Sequence, residues 1–325
     1  MTIAIFDLKP WEKELFKASL KKHRVTYFTK PIQQVNLKKL KDIEAISCFI
    51  NSTVTKEIIS KLPRLKLIAT RSTGFDHINM VETKKRKIKV LNVPSYGENT
   101  VAEHAFGLIL TLSRNIHHSY LRSLEHDFSI NGLMGFDLCH KTIGVIGSGK
   151  IGSHVIRIAR GFEMNVLAYD PYQNKKLAKE LGFKYTSLPS LLKQSDIISL
   201  HVPLSKETRH LINKKNIKQI KKGALLINTA RGGLVDTKAL IKALDKKILG
   251  GAGLDVLEEE HILLEDRHLL RQHEKDYACF KDIVKNHKLL KRDNVIFTPH
   301  IAFFSQEAVD RITKMTITNI LCFKP

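Results

Sequence analysis

The stretch Lys141-Thr142-Ile143-Gly144-Val145-Ile146-Gly147-Ser148-Gly149-Lys150-Ile151-Gly152 decides the fold of this 325-residue chain. Its first half, KTIGVI, is a short β-branched run of the kind that fills a buried strand. Its second half reads Gly-x-Gly-x-x-Gly and opens directly into the helical pattern SHVIRIARG. In such a strand-turn-helix Gly147 makes the tight turn, Gly149 admits a ligand to the backbone, and Gly152 lets the helix lie close on the strand. The helix N-terminus then offers N–H donors and a positive dipole to an anion.

A glycine pattern alone is weak. The addition that gives it weight is Asp170, 18 residues beyond Gly152, at the end of the next run, NVLAYD. A carboxylate there can bind both ribose hydroxyls of an adenosine and repels a 2′-phosphate, and Pro171-Tyr172 supplies no arginine in exchange. The reading is a dinucleotide site that takes NAD rather than NADP.

Working outward, TIGVIG and NVLAYD are followed by DIISLHV, ALLINT, GGAGLDV and NVIFTPH at the spacing of an α/β domain. Before them lies an independent series, TIAIFD, VTYFT, AISCFI, LKLIAT and IKVLNV, separated by helical stretches such as EKELFKASLKKH and KEIISKL. The chain therefore reads as α/β, with two doubly wound parallel-sheet domains. Between the series, TVAEHAFGLILTLSRNIHHSY reads as one long helix. Its apolar content exceeds one packing face, so a second face is expected to bury against a partner subunit, giving a homodimer. Residues 262–292 form a long charged excursion, and SQEAVDRITKMTITNILCF is a final helix expected to return to the first domain.

Bulk properties exclude several classes. Hydrophobic residues make up 43% of the chain, enough for full cores, and no apolar run approaches the roughly 18 residues of a membrane span. The start, MTIAIFDLKPWEK, reads as a first core strand rather than a leader, so a cytoplasmic protein is expected. Cys48, Cys139, Cys279 and Cys322 show no CxxC or Cys/His ligand spacing, so neither disulfides nor a metal is expected. The net charge of +22 is spread over lysine-rich stretches such as NLKKLK and ETKKRKIK without aromatic platforms, which argues against nucleic acid as a partner.

Chemistry is expected where strands end. Arg231, in INTARGGLVD, follows one strand; Glu260, in GLDVLEEE, follows another; His300, in TPHIAFF, follows a third. Carboxyl ends of strands in doubly wound sheets converge on one crevice. There a guanidinium suits a planar anion, and imidazole, whose protonation changes near neutral pH, suits proton transfer.

The series RSTGFDHIN, VPSYGENTVAEHA, GVIGSGKIG with Asp170, SLHVPL, INTARGGLVD, GLDVLEEE and PHIAFFS resembles, in order and over nearly the whole chain, the D-isomer-specific 2-hydroxyacid dehydrogenases, and within them the D-lactate dehydrogenases. The resemblance implies a Rossmann NAD domain, residues 101–300, inserted into a flavodoxin-like substrate domain, residues 1–100 and 301–325, with a cleft that closes on binding. It implies that Arg231 binds the substrate carboxylate and polarises its 2-oxo group, that His300 is the acid/base, and that Glu260, selected from three glutamates by its spacing from Asp255, is the partner of His300. Lys150 and Ile151 would face the pyrophosphate, Val202 and Pro203 line the nucleotide pocket, and Thr208 sit near the phosphates. Thr229 and Ala230 would lie near the nicotinamide, and Asp255 at its carboxamide. Ser72, Thr73, Gly74, Tyr96 and Phe303 would meet the substrate.

The expected reaction is reduction of pyruvate to D-lactate by NADH, since Phe303-Phe304 resembles the aromatic pair of the lactate-type members. The alternatives are a broader D-2-hydroxyacid dehydrogenase, acting on hydroxypyruvate, glyoxylate or branched 2-oxo acids, and a non-catalytic NAD(H)-sensing regulator.

Overall fold

The computed structural model describes residues 1–258 and 286–324, and these gather into two units, residues 1–97 with 304–325 and residues 98–303. In the first unit, β1 (Thr2–Ile5), β2 (Arg24–Tyr27), β3 (Ala45–Cys48), β4 (Leu67–Thr70) and β5 (Lys89–Leu91) form a parallel sheet in the order β2-β1-β3-β4-β5. That is the flavodoxin-like order. Alternate residues point to opposite faces and feed two cores: Ala4, Phe6, Ile46 and Ile68 on one side, Ile3, Ile5, Ala45 and Leu67 on the other. The helix Gln306–Leu321, capped by Ser305 Oγ, lays Ile317 and Ile320 on the second core beside Phe16 and Leu20. The end of the chain thus completes the unit that its start begins.

The second unit holds β6 (Thr142–Ile146), β7 (Asn165–Tyr169), β8 (Lys184–Tyr185), β9 (Ile197–Leu200), β10 (Ala224–Asn228), β11 (Leu249–Leu254) and β12 (Val295–Phe297). All pair in parallel, in the order β12-β11-β10-β9-β6-β7-β8. The order reverses between β6 and β9, which defines the Rossmann switch point and places a ligand crevice beyond the carboxyl ends of those strands. Strands β9 and β10 are buried along their whole length, as parallel strands covered on both faces should be. The two-residue edge strand β8 is too short to have a readable pattern in the sequence.

One helix differs from its sequence reading. The expected single helix through TVAEHAFGLILTLSRNIHHSY is two, Glu98–Ser113 and Ile116–Leu124, broken at Asn115, whose backbone is left-handed with φ 51°. Asparagine tolerates that conformation better than most residues. Residues 133–136 return to seal the break: Asn115 Nδ2 donates to the Leu133 and Met134 carbonyls, and Phe136 N donates to Ser113 O at 2.8 Å. The first piece is packed along one side. Ala102, Ala105, Phe106, Leu108, Ile109 and Leu112 bury it against the helix Lys150–Gly161 and against β10 and β11.

Candidate active site

The glycine loop between β6 and its helix is shaped by three contacts. Gly147 turns at φ 95°, with the His201 carbonyl 2.6 Å from where a Cβ would stand. At Gly152 a Cβ would fall 1.9 Å from Gly147 O, whereas at Gly149 no atom of the described residues lies within 4 Å. The loop is therefore closed against its own chain and open on the side where Gly149 would meet a pyrophosphate. Lys150 and Ile151 open the helix there, and Lys150 Nζ lies 3.5 Å from Glu98 Oε1.

Asp170 ends β7 beside this loop. Its Oδ2 accepts from Ser148 N at 2.8 Å and from Ser148 Oγ at 3.0 Å, and its Oδ1 accepts from Tyr172 N at 2.8 Å. Tyr185 extends the network through its hydroxyl to Ser148 Oγ at 2.8 Å. These bonds fix the carboxylate beside the glycine loop.

Across the switch point, Val202 lies against Gly147. Thr208 closes the turn that follows by donating from Oγ1 to Pro203 O at 2.6 Å. Two buried polar atoms here have no partner among the described residues, His201 Nδ1 and Thr229 Oγ1. Buried donors and acceptors are rarely left unpaired, so this pair fits a site shaped for a polar cofactor. Burial pulls the His201 imidazole down to about 3, so its ring is neutral, with Nε2 held by Ser199 Oγ at 2.7 Å.

Register brings the catalytic candidates together. Asn228, Leu254 and Phe297 lie in one row across β10, β11 and β12. Arg231 and His300 each follow three residues later, on strands about 10 Å apart, a span two side chains and a small acid can fill. Asn228 shapes the first turn: its Nδ2 donates to Arg231 O at 2.9 Å and its Oδ1 accepts from Ala230 N at 3.1 Å. The Arg231 guanidinium donates to Ala230 O at 2.7 Å. Gly232 permits the approach of the next strand's connection, because a Cβ would fall 2.0 Å from the Leu257 carbonyl.

His300 is held in a left-handed turn, φ 56°. Its N–H donates to Asp255 O and to Thr298 O, both at 2.9 Å. Asp255, fully buried, does more. Its carboxylate accepts from Ile301 N and Ala302 N, both at 2.9 Å, and from Thr298 Oγ1. His104 joins through Nε2, 2.9 Å from Thr298 Oγ1. The resemblance places Asp255 at the carboxamide; in the structure both of its oxygens anchor the loop that carries His300.

Glu260 lies outside the described residues. Glu258, which a run of three glutamates would leave in solvent, is instead half-buried. It accepts from His210 Nε2 at 2.6 Å, from Thr237 N at 3.1 Å and from Thr237 Oγ1 at 2.7 Å. Burial pushes its carboxyl up, but the bonds from His210 and Thr237 outweigh this and hold it below the usual carboxylate range. Since His210 N also donates to Gly233 O at 2.8 Å, the pair ties the Arg231 turn to the end of β11.

Within the first unit, Ser72-Thr73-Gly74 follows β4. Ser72 Oγ donates to Gly74 O at 2.6 Å and Thr73 Oγ1 to Val93 O at 2.9 Å. Below the loop Arg71 is buried, its guanidinium on Glu12 Oε1 at 3.1 Å, on Ser47 Oγ at 3.1 Å and on the Phe6 carbonyl at 2.7 Å. Tyr96 is held through its carbonyl by Arg311 of the final helix, and Asn92 O accepts from Asn319 Nδ2 at 2.9 Å. Phe303 closes the second unit and Phe304 opens the return to the first, where it packs on the half-exposed Trp11 with ring centroids 5.5 Å apart. Arg71 opens the motif RSTGFDHIN but has no expected role there, and Glu12 and Trp11 lie in no motif; the parts of Arg71 and Glu12 follow from their burial and that of Trp11 from its ring contact.

Fold and site together define a dinucleotide-dependent oxidoreductase. A family model for the NAD-binding domain of D-isomer-specific 2-hydroxyacid dehydrogenases matches residues 106–302. The D-lactate dehydrogenase of Escherichia coli is 36% identical over 324 residues, covering 98% of this chain and 96% of that protein. Two solved structures align over 99% of the chain. D-lactate dehydrogenase from Aquifex aeolicus, complexed with NAD and lactic acid, has 40% identity, 95% coverage and a TM-score of 0.90. D-2-hydroxyisocaproate dehydrogenase has 31% identity, 97% coverage and a TM-score of 0.81. The chain belongs to the D-isomer-specific 2-hydroxyacid dehydrogenases, and its cofactor is NAD.

Proposed function

We propose that the chain reduces pyruvate to D-lactate. The observation that carries the chemistry is the common row of Asn228, Leu254 and Phe297, which sets Arg231 and the Asp255-anchored His300 at one end of one sheet. NADH, held at the glycine loop by Gly147, Gly149 and Gly152, would supply the hydride for the carbonyl carbon. Arg231 holds the substrate carboxylate with a two-donor fork and draws charge toward the 2-oxo group. His300 gives its proton to the carbonyl oxygen in reduction and takes it back in oxidation. Glu260 steadies the protonated ring, and Ser72, Thr73, Gly74 and Tyr96 contribute to binding the acid.

For the nucleotide, Gly147, Gly149, Lys150, Ile151 and Gly152 receive the pyrophosphate and Asp170 the ribose. Val202, Pro203 and Thr208 line the pocket, and Thr229 and Ala230 border the nicotinamide. Phe303 favours a small apolar substituent on the 2-oxo acid. The experiment that tests the substrate is a comparison of kcat/KM for pyruvate, glyoxylate, hydroxypyruvate and 2-oxoisocaproate. Pyruvate is expected to lead by roughly tenfold or more, the range that a methylene or two can discriminate. A lead for 2-oxoisocaproate would support the broader reading, which the likeness to D-2-hydroxyisocaproate dehydrogenase favours.

We read the working form as a cytoplasmic homodimer. Free Cys48, Cys139 and Cys322 suit a reducing compartment, and no helix among the described residues is long and apolar enough to cross a membrane. Exposed Tyr120, Leu121, Leu124, Phe128, Ile130 and Met134, gathered within fifteen residues of sequence, support a second copy as their cover.

A further inference from the structure

We propose that Cys139, His140 and Glu163 form a metal-binding site on the second unit, suited to a divalent transition-metal ion of the zinc class. Cys139 and His140 immediately precede β6, and Glu163 lies between the helix Lys150–Gly161 and β7. Both positions precede the amino ends of parallel strands, so the site lies at the end of the sheet opposite the NAD loop.

One sulfur, one imidazole nitrogen and one carboxylate oxygen stand within 4.8 Å of one another. Cys139 Sγ already donates to Glu163 Oε2 at 3.6 Å. Ligand atoms on one tetrahedral zinc ion are about 3.5 Å apart, so small side-chain rotations close the set. The backbone is braced for this. His140 N donates to Glu163 O at 3.1 Å, Asn165 Nδ2 to His140 O at 2.9 Å, and Asn165 N to Lys141 O at 2.9 Å.

The electrostatics favour a cation although the chain carries +22 overall. The carboxylates of Glu163 and Asp137 both act on Cys139 and give it a locally negative setting. The carboxyl end of the helix Lys150–Gly161 adds its dipole. Binding would replace the thiol proton: the S–H bond breaks, the sulfur lone pair goes to the metal, and the proton leaves to solvent. Neutral His140 and the Glu163 carboxylate donate lone pairs, and water completes the shell. Thiolate with imidazole selects against magnesium and calcium.

The test is titration of the full-length protein, reduced and free of oxygen, with cobalt(II) chloride. Absorption is followed in the near ultraviolet, where a thiolate bound to cobalt gives a charge-transfer band. The wild type is expected to saturate at one cobalt per chain, to lose the band on addition of zinc chloride, and to melt at a higher temperature with zinc but not with magnesium. Cys139→Ser should abolish the band. His140→Asn, which suits the left-handed backbone at φ 62°, and Glu163→Gln should each weaken cobalt binding by roughly tenfold or more. Absence of the band in the wild type would overturn the proposal. So would a band that persists in Cys139→Ser, or one that neither His140→Asn nor Glu163→Gln weakens.

Discussion

A single buried carboxylate, Asp255, fixes where His300 stands. It takes two backbone N–H groups and a hydroxyl from the loop that carries the histidine, and its own carbonyl takes the histidine N–H. In Asp255→Asn one acceptor oxygen becomes a donor that faces N–H groups, which costs about 1–3 kcal/mol for each bond lost. The expected result is a kcat lower by about 100-fold, since small displacements of a reacting group are expensive, with NADH affinity nearly unchanged. The reverse split, NADH affinity lost and kcat kept, would instead support Asp255 at the carboxamide, as the resemblance implies. Arg231→Lys tests the other half of the site. A point ammonium cannot reproduce a planar fork, so kcat/KM should fall by about 10²–10³-fold. Asp170 and Arg231 were legible in the sequence because each ends a strand at a fixed distance from a glycine turn. The anchoring by Asp255 was not, because its partners come from a segment more than forty residues away.

At the scale of elements, the pairing of Glu258 with His210 and Thr237 joins three connections at one corner of the sheet. Its hydrogen bonds hold the Glu258 carboxyl below its ordinary range in the folded chain. A depressed carboxyl contributes stability that is present above its unfolded pKa and is lost as pH falls through the lower folded value. The melting temperature of the wild type should therefore drop faster below about pH 4 than that of Glu258→Gln, which is less stable at neutral pH but lacks that titration. Parallel acid limbs in the two proteins would show that the pair contributes nothing. Consecutive glutamates such as Glu258-Glu259-Glu260 normally face solvent. Local pattern does not reveal that His210, forty-eight residues earlier, turns back to meet Glu258. The break at Asn115 escaped for a similar reason: the apolar rhythm continues through it, and what seals it is the returning segment around Gly135, where a Cβ would fall 2.2 Å from Ser113 O.

For the whole molecule, the two strand series were legible because parallel strands covered on both faces leave uninterrupted β-branched runs. The Rossmann and flavodoxin-like architectures, by contrast, came only with the family resemblance. The cluster of Cys139, His140 and Glu163 shows the opposite case, since two connections meet that no spacing rule relates. Assembly is a property of the exposed apolar stretch. Leu121→Glu with Leu124→Glu should shift the mass measured by light scattering from dimer to monomer, whereas a wild type already monomeric at micromolar concentration would remove that role. The central claim is that this strand-end arrangement performs hydride and proton transfer on a small 2-oxo acid. Its most direct test is oxidation of NADH by the purified protein with pyruvate, with chiral analysis of the product, beside His300→Ala. The account predicts D-lactate from the wild type, and in His300→Ala retained NADH binding with turnover lower by about 10²–10⁴-fold. Tight NADH binding by the wild type without turnover of pyruvate or any other 2-oxo acid would contradict it.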